Sequence, residues 1–240
     1  CKDATIITVP QGEASKSFKI LETVLRQMLD FGMGRGDLVV AVGGGVVGDL
    51  AGFAASIYMR GIDFINCPTT TLSMIDSSIG GKTAVDLGDT KNIVGAFWQP
   101  KLVIVDPDTL STLPRRHFIN GLAEAVKAGL LADPELFSIF EKEDVDDRIG
   151  DIICRSLRFK KSIVEQDETE QGMRKALNFG HTIGHGIEAV KGIKGRRTTG
   201  LFHGECVALG MLPMIESKAL QKRVRGVYRR LGLPTRTAYD

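Results

Sequence analysis

The chain has 240 residues, of which 43% are hydrophobic and 25% charged, a balance that is typical of globular proteins and excludes a largely disordered chain. Its 31 basic and 29 acidic residues leave a net charge of +2, so no extended surface for nucleic acid is expected. No uncharged apolar run approaches the roughly 20 residues that a membrane-spanning helix needs. The four cysteines are widely spaced with no C-x-x-C pattern, which favours reduced thiols and a cytoplasmic protein.

The first 110 residues alternate between strand and helix patterns, as in a parallel sheet with crossover helices. Residues 4–9 predict a strand, and Ser15 or Ser17 can cap a helix that runs to about Phe31. Short apolar runs predict three buried strands, DLVVAV (37–42), FINCP (64–68) and KLVIVD (101–106). We therefore predict an α/β domain over residues 1–110 with a mainly parallel, Rossmann-like sheet.

Helical patterns replace the strand patterns beyond residue 110. The predicted helices span about 115–130, 134–141, 148–166, 174–190, 203–222 and 223–231. The segment KGIKGRRTTG (191–200) is predicted to be a mobile basic loop. Residues 111–240 are therefore expected to form an all-α domain.

The segment LNFGHTIGHGIEAV (177–190) places two histidines four residues apart within one predicted helix. On a continuous helix its polar residues share one stripe, and its apolar residues face the core on the opposite side. The stripe comprises Arg174, Asn178, His181, His185 and Glu188. Gly180 and Gly184 each cost about 1 kcal/mol inside a helix, which the close approach of a ligand or another backbone would offset. The pattern predicts a solvated face or a polar pocket.

Residues 43–48 match G-x-G-x-x-G between a predicted strand and a predicted helix. This spacing indicates either a pyrophosphate site at the helix start or only a tight turn. Asp63 is not expected to bind a ribose because it lies at the start of a strand, whereas Asp49 directly follows the glycines. The segment SSIGGKT (77–83) is not a P-loop because Asp76 occupies the position of the leading glycine.

Glu124 and Lys127 lie three residues apart on one predicted helix. This spacing suits a surface ion pair, but their small apolar neighbours also suit a helix that approaches a functional site. His203 stands at a predicted helix start, as a cap or as a ligand. Glu124, His181 and His203 come from three helices, and two imidazoles with one carboxylate leave open positions on a catalytic Zn²⁺. The pair of His181 with His185 is the alternative, because i, i+4 spacing also suits a metal. The residues alone leave both sets open.

Longer motifs extend over nearly the whole chain, from about VPQGEASKS to LGLPT. They are GGGVVGDLAGFAAS, RGIDFINCPTTTLSMIDSSIGGKTAVD, KNIVGAFWQP, LPRRHFINGLAEAVKAGLL, LNFGHTIGHGIEA and FHGECVALGM. Together they resemble 3-dehydroquinate synthase, the NAD- and metal-dependent cyclase of the shikimate pathway. The resemblance implies a homodimeric lyase that converts DAHP to 3-dehydroquinate and phosphate. Its steps are a transient oxidation by NAD⁺, elimination of phosphate, reduction and an intramolecular aldol closure.

The resemblance also implies a role for individual residues of this chain. A divalent metal, Zn²⁺ or Co²⁺, is expected at Glu124, His181 and His203. NAD is expected to contact Glu13, Lys16, Gly44, Gly45, Asp49, Thr69, Thr70, Asp76, Lys82, Lys91, Thr109 and Thr112. The implied catalytic residues are Asp76, Lys82, Lys127, Lys160, Arg174, Asn178 and His185. Asn92 is also expected to contact the substrate, and Arg60 is expected to reach the substrate phosphate in the neighbouring subunit.

The chain also departs from the family pattern. His117 stands where the family usually has a glutamate, and the loop between His185 and His203 is longer than in typical bacterial members. The chain starts without methionine, and we expect segments at both ends to be missing and its activity to be below that of a longer chain. The alternatives are a related sugar phosphate cyclase, a metal-dependent polyol dehydrogenase and a noncatalytic remnant of the fold. The lysine and arginine array argues against the dehydrogenase.

Overall fold

The computed structural model describes residues 4–190, 194–195 and 198–237, with only the backbone at 194–195 and 198–199. This part of the chain divides into two units. The first contains the residues up to Thr69 together with Ser77–Asp106, and the second contains Thr70–Asp76 together with the residues from Pro107 onward. The domain ranges 1–110 and 111–240 stay a prediction, and no pattern in the sequence indicated that Thr70–Asp76 groups with later residues. None of the helices built by the described residues has the length and apolar character to cross a membrane.

A parallel sheet organises the first unit, as the strand patterns predicted. The elements are α1 (Phe18–Asp30), β1 (Leu38–Gly43), α2 (Gly45–Ile57), β2 (Asp63–Pro68), β3 (Lys82–Leu87), β4 (Thr90–Phe97) and β5 (Leu102–Val103). The parallel strands lie in the order β1-β2-β5, and Ile65 pairs with Val40 on one side and Leu102 on the other. The prediction of a mainly parallel sheet with helices is confirmed.

Local sequence signals place two helix starts in this unit correctly. The hydroxyl of Ser17 accepts a hydrogen bond from the backbone N–H of Ile20 at 3.5 Å and caps α1. Gly43 ends β1, Gly44 is the N-cap of α2, and α2 begins at Gly45. The predicted succession of strand, glycine turn and helix is therefore confirmed.

Two features of the first unit differ from the sequence prediction. Residues 4–9 form no strand, because among the described residues no neighbour hydrogen-bonds to them as a ladder. Ile7 and Val9 still pack against the core, whereas Ile6 is 81% exposed. The antiparallel hairpin of β3 and β4, with Lys82 opposite Phe97, was not predicted, and β5 is shorter than the predicted strand 101–106.

Helices dominate the second unit, as predicted. They are α3 (Arg115–Leu131), α4 (Pro134–Lys142), α5 (Ile149–Gln166), α6 (His181–Ala189), α7 (His203–Met211) and α8 (Lys218–Leu231). Part of the predicted mobile loop forms a short antiparallel ladder of β6 (Lys194–Gly195) and β7 (Thr198–Thr199). The rest of that loop, residues 191–193 and 196–197, lies outside the described residues.

Two predicted helix boundaries are wrong. The predicted helix 174–190 is a 3₁₀ helix, Met173–Asn178, followed by α6, because Gly180 adopts a left-handed conformation with φ 83°. The prediction of a single polar stripe along one continuous helix is therefore wrong. The predicted helix 203–222 ends early, since Pro213 has no N–H to continue α7. Ser217 then caps α8 by accepting a hydrogen bond from the N–H of Leu220.

Candidate functional site

Three helices of the second unit bring one carboxylate and two imidazoles together. Glu124 lies on α3, His181 is the first residue of α6, and His203 is the first residue of α7. Their ligand atoms all lie within 4.8 Å of one another. Glu124 Oε1 is 3.6 Å from His181 Nε2 and 4.0 Å from His203 Nε2. Ligand atoms around a tetrahedral zinc are separated by about 3.4 Å, so small side-chain movements would close this set on an ion.

Glu124 is buried, at 3% exposure, and its negative charge is only partly compensated by neighbouring groups. Neither of its oxygens has a hydrogen-bond partner among the described residues, although the ammonium of Lys127 forms an ion pair with Oε2. Lys127 is itself 3% exposed, so the surface ion pair considered from the sequence is wrong. A buried carboxylate needs positive charge or hydrogen-bond donors. The position fits a metal ion that the carboxylate and both imidazoles share.

The two histidines turn their Nε2 atoms towards Glu124. His181 Nδ1 lies 3.4 Å from the carbonyl oxygen of Phe179. Burial lowers the pKa of His181 to about 4, so its imidazole is neutral at neutral pH and keeps a lone pair for a metal. Burial alone would lower the pKa of His203, but the carboxylates of Glu188 and Glu124 outweigh it and raise that pKa. The carboxylates of Glu188 and Glu124 thus favour a positive charge at His203.

Glycines allow α6 and α7 to lie close enough for this set to form. A Cβ on Gly210 of α7 would lie 2.1 Å from the carbonyl oxygen of Gly180, and one on Gly184 would lie 3.0 Å from the carbonyl oxygen of Cys206. Of the two explanations offered for Gly180 and Gly184, the close approach of another backbone is the one observed. The expected apolar face is wrong as well, because Gly184 is buried against α7 while Ile183 is 39% exposed.

A side chain of α3 fixes the start of α7. Phe202, the N-cap residue, has no side-chain oxygen for the first helical N–H groups. Asn120 Oδ1 accepts hydrogen bonds from the N–H groups of Gly204 at 2.8 Å and Glu205 at 3.3 Å. Arg116 binds the carboxylate of Glu205 with two hydrogen bonds, at 2.8 and 2.7 Å. Because Asn120 precedes Glu124 by one helical turn, α3 holds both the carboxylate and the helix that carries His203.

A small pocket lies beside Glu124 in the second unit. Its lining residues are Ile75, Asp76, Glu124, Lys127, Ala128, Ser156, Phe159, Lys160 and Leu177. Lys160 Nζ lies 2.7 Å from Asp76 Oδ1, and Lys127 Nζ donates to the carbonyl oxygen of Leu177 at 2.7 Å. The structure therefore brings together three predicted catalytic residues beside the predicted metal ligand. Two ammonium groups in a partly apolar pocket can bind a phosphate or carboxylate.

Charges in this pocket affect one another's ionisation. Burial alone would raise the pKa of Asp76, but the ammonium groups of Lys160 and Lys127 outweigh it and hold that pKa well below the ordinary range. Asp76 is therefore ionised at neutral pH. Burial lowers the pKa of Lys160, although Asp76 opposes this. An ammonium with a lowered pKa beside a fixed carboxylate can act as a proton donor.

Arg174 and Asn178 are not among the residues that line this pocket. Arg174 is 2% exposed, and its guanidinium donates to the carbonyl oxygen of Glu168. The side-chain amide of Asn178 donates to Glu170 Oε1 at 2.7 Å. Because the chain is 3₁₀-helical here and breaks before α6, these side chains do not continue the line of His181.

His185 is exposed and belongs to a second group of potential ligands. Its side chain is 60% exposed, and its Nδ1 lies 3.5 Å from Glu188 Oε2. Its ring centroid is 5.5 Å from that of His181. Among the described residues, His181 and His185 do not occur together in one group of three metal-competent side chains. Such groups are Glu124 with His181 and His203, and His185 with Glu188 and His203.

Four predicted binding residues meet in the first unit. Lys16 is 3% exposed, and its Nζ lies 2.7 Å from Asp49 Oδ2 and 3.7 Å from Glu13 Oε1. The same ammonium also donates to Asn92 Oδ1. Asn92 adopts a left-handed conformation with φ 56°, and its N–H donates to Asp86 Oδ1 at 2.8 Å. This cluster, in which Lys16 is the buried member, lies beside the start of α2, the end of a helix that favours anions.

The remaining predicted residues of the first unit lie around the sheet. Gly44 and Gly45 form the turn into α2, and among the described residues no side chain accepts a hydrogen bond from the first N–H groups of this helix. The N–H of Thr69 donates to the carbonyl oxygen of Gly43 at 2.8 Å. Lys82 and Lys91 are exposed on β3 and β4. Arg60 is exposed in the turn after α2, with φ 71°.

The remaining predicted residues of the second unit lie outside its metal-competent groups. The hydroxyl of Thr70 is 2.8 Å from that of Ser73. Thr109 and Thr112 belong to the 3₁₀ helix Pro107–Thr112. Sequence reasoning missed the contribution of Asn120, and it noted Glu188 only as part of a stripe. Helical spacing from Glu124 was the one signal that could have found Asn120.

Comparisons with known proteins agree on one family. The family model for the 3-dehydroquinate synthase N-terminal domain matches residues 6–120, and the model for its C-terminal domain matches residues 121–238. The chain is 45% identical to 3-dehydroquinate synthase of Clostridium perfringens (strain SM101 / Type A), over 97% of this chain and 69% of the relative. It is 43% identical to that of Thermodesulfovibrio yellowstonii, over 95% of this chain and 66% of the relative. The chain thus spans about two thirds of the length of these relatives.

Solved structures of sugar phosphate cyclases have the same fold. The 2-epi-5-epi-valiolone synthase of Streptomyces hygroscopicus subsp. jinggangensis, solved with NAD⁺ and Zn²⁺, matches with a TM-score of 0.85 and 30% identity, over 95% of this chain and 66% of that one. A 2-deoxy-scyllo-inosose synthase, complexed with carbaglucose-6-phosphate, NAD⁺ and Co²⁺, matches with a TM-score of 0.80 and 28% identity, over 93% and 63%. On the motifs, the fold and these relatives, the chain belongs to the 3-dehydroquinate synthase family.

Proposed function

We propose that this protein converts DAHP to 3-dehydroquinate and phosphate, using NAD and a divalent metal. One observation in the structure carries the proposal: the buried carboxylate of Glu124 faces two imidazoles and has no described hydrogen-bond partner. Lys127 pairs with Oε2, and a metal ion would satisfy Oε1, towards which both imidazoles are already directed. Family membership identifies the reaction class, and the site explains why the chain carries these three residues.

Glu124, His181 and His203 would hold the metal. Three nitrogen and oxygen donors suit Zn²⁺ or Co²⁺ and leave positions for substrate oxygens. When bound, the ion supplies Lewis-acid chemistry that polarises a hydroxyl or carbonyl oxygen. The valiolone synthase with Zn²⁺ and the inosose synthase with Co²⁺ support both choices of ion. The neutral state of His181, which burial favours, is the state that ligation needs.

NAD would bind at the glycine turn that precedes α2. The Gly44–Gly45 backbone leaves the helix start open to a pyrophosphate, and the buried Lys16 with Asp49 supplies a fixed donor and acceptor beside it. Both cyclase structures contain NAD⁺, which supports the cofactor. The proposed contacts are Glu13, Lys16, Gly44, Gly45, Asp49, Thr69, Thr70, Asp76, Lys82, Lys91, Thr109 and Thr112.

The substrate would bind in the pocket beside Glu124. Lys127 and Lys160 would bind its phosphate and carboxylate, and Asp76 favours the charged form of Lys160 and holds it in place. Lys160 is positioned to hold or deliver a proton at the substrate oxygen that it contacts. Lys82, Asn92, Arg174, Asn178 and His185 are the further substrate and catalytic residues of the proposal. Arg60 would reach the phosphate in a second copy, so the proposed active form is a homodimer.

A cytoplasmic location completes the proposal. Cys67, Cys154 and Cys206 form no disulfide in the described chain. Thiols that stay reduced are typical of proteins in a reducing compartment.

Release of phosphate from DAHP tests the proposed function. The purified protein, supplied with NAD⁺ and Zn²⁺, is expected to release phosphate and form 3-dehydroquinate, and the Glu124→Ala variant is not. Phosphate release without NAD⁺ and metal, or equal release by Glu124→Ala, would contradict it. The control is Glu165→Ala, an exposed glutamate of α5 that pairs with Lys161 one turn away.

A related sugar phosphate cyclase is the second candidate, because the valiolone synthase structure matches with a TM-score of 0.85. The 45% identity to 3-dehydroquinate synthase, against 30% to the valiolone synthase, favours the first. Turnover of other phosphorylated sugars in place of DAHP would identify the second. A thermal-shift test with NAD⁺, Zn²⁺ and DAHP separates both from a remnant, because no stabilisation by any of them would support the noncatalytic remnant.

A further inference from the structure

Glu188 lies on α6, one turn beyond Gly184, and its carboxylate contacts the metal-site histidine of another helix. Glu188 Oε2 is 3.4 Å from His203 Nδ1 and 3.5 Å from His185 Nδ1. The side chain of Glu188 is 18% exposed, whereas that of His185 is 60% exposed. The carboxylate therefore lies largely inside the protein, against the ring of His203.

The two ring nitrogens of His203 have different partners. Nε2 faces Glu124 Oε1 at 4.0 Å, and Nδ1 faces Glu188 Oε2. A neutral imidazole has one lone pair and one N–H, so if Nε2 binds the ion, Nδ1 carries the proton and can donate it. A carboxylate that accepts this N–H holds the ring orientation and increases the basicity of the coordinating nitrogen.

His181 shows the same arrangement with a different acceptor. Its Nε2 faces Glu124 at 3.6 Å, while its Nδ1 lies 3.4 Å from the carbonyl oxygen of Phe179. Each proposed ligand histidine thus presents Nε2 to the same carboxylate and places Nδ1 beside an oxygen outside the ligand set. The acceptor for His181 is fixed by the backbone, whereas the acceptor for His203 is a side chain that mutation can remove.

We infer that Glu188 is a positioning residue that orients His203 and strengthens its bond to the metal, and that it holds the exposed His185 beside the site. The inference rests on the proposed metal set of Glu124, His181 and His203. A different use of the same atoms is a second ion bound by His185, Glu188 and His203, which also form a metal-competent group. That arrangement requires both nitrogens of His203 to bind metal and leaves no N–H on its ring, so we favour the single ion.

Zinc affinity, measured by competition with a chelator, tests the inference directly. Glu188→Ala is expected to weaken zinc binding by about 10- to 100-fold, the usual effect of losing such a partner. Glu188→Gln keeps an oxygen acceptor of the same length and is expected to recover much of that loss. The d–d absorption of the Co²⁺-loaded Glu188→Gln protein should shift relative to the parent, because loss of the negative charge changes the donor strength of His203. A merely structural role for Glu188 would leave that spectrum unchanged.

The outcomes are distinct. Glu188→Ala with parental zinc affinity, while Glu124→Ala loses zinc, overturns this inference and leaves the proposed function standing. Two zinc ions per chain in the parent and one in Glu188→Ala would also overturn it, in favour of a second site. Retention of zinc by Glu124→Ala would contradict the proposed metal set itself. Glu165→Ala is the control for removing a carboxylate, and Glu188→Gln carries the test if Glu188→Ala does not fold.

Discussion

Glu124 Oε1 and His181 Nε2 lie 3.6 Å apart, on helices that the sequence separates widely. The carboxylate is buried on α3, and the imidazole is at the first position of α6. Lys127 pairs with the other oxygen of Glu124, and a shared ion would satisfy both Oε1 and His181 Nε2. The consequences for metal binding, stability and pH dependence can each be measured.

Metal retention should separate the ligands from His185. We expect Glu124→Ala and His181→Ala to lose zinc, because each removes one of three donors. His185→Ala should retain zinc and lose rate, since its exposed ring is not directed at Glu124. Elemental analysis of the dialysed variants checks this, together with phosphate release. Loss of zinc from His185→Ala would make His185 a ligand and contradict the proposed set.

Removing the Asn120 side chain should affect both stability and the metal site. Asn120→Ala leaves the N–H groups of Gly204 and Glu205 without their acceptor, and we expect a loss of about 1–2 kcal/mol in the free energy of unfolding. Zinc affinity should fall as well, because His203 is the first residue of α7.

Ser217→Ala is the matched control for that variant. The hydroxyl of Ser217 caps α8 by accepting from the N–H of Leu220, so its loss has a similar cost in denaturant unfolding. Its zinc affinity should remain that of the parent, since α8 carries no proposed ligand. If Ser217→Ala weakened zinc binding as much as Asn120→Ala does, the effect would be one of global stability.

The close approach of α6 and α7 should make Gly210 intolerant of substitution. A Cβ there would lie 2.1 Å from the carbonyl oxygen of Gly180, so Gly210→Ala must separate the helices. We expect destabilisation of about 1–3 kcal/mol, the range typical of overpacking, and weaker zinc binding.

Gly226→Ala, in α8, is the contrasting substitution. Nothing lies within 4 Å of a Cβ at Gly226, so the change should stabilise the protein by about 0.5–1 kcal/mol through helix propensity alone. Denaturant unfolding of both variants measures the difference. Equal stabilities for Gly210→Ala and the parent would show that the helices separate without cost.

Stability should fall at alkaline pH through Tyr228. Burial, assisted by the charge of Glu124, raises the pKa of Tyr228. A tyrosine whose pKa is higher in the folded state stabilises the fold fully below the unfolded pKa of about 10 and loses this contribution as pH rises towards the folded pKa. We therefore expect Tyr228→Phe to gain stability relative to the parent between about pH 8 and pH 11.

At about pH 8 the same variant should be at least as stable as the parent, because the hydroxyl of Tyr228 is buried with no hydrogen-bond partner in the described chain. Tyr58→Phe is the comparison, since the Tyr58 hydroxyl donates to the carbonyl oxygen of Met33 at 2.9 Å and its removal should cost about 1 kcal/mol. Urea unfolding at both pH values checks the sign. A parent that gains stability over Tyr228→Phe with rising pH would contradict the prediction.

Short-range chemistry let the sequence alone determine much of this protein. The hydroxyl of Ser17 caps a helix three residues away, and the glycines after β1 turn a strand into α2. The family motifs also identify the reaction class from the sequence alone, because they are runs of consecutive residues. The proposed metal residues also came from these motifs, since spacing alone left His185 as an alternative.

Tertiary structure decided what depends on distant partners. The burial of Glu124 and Lys127 follows from the helices packed around α3, whereas their spacing alone equally suited a surface pair. The break at Gly180 lies where α7 meets its backbone, and residues 4–9 form no strand because no described neighbour pairs with them. Local propensity is a property of a few consecutive residues, but burial and pairing are set by contacts between segments far apart in the chain, so only the folded structure determines them.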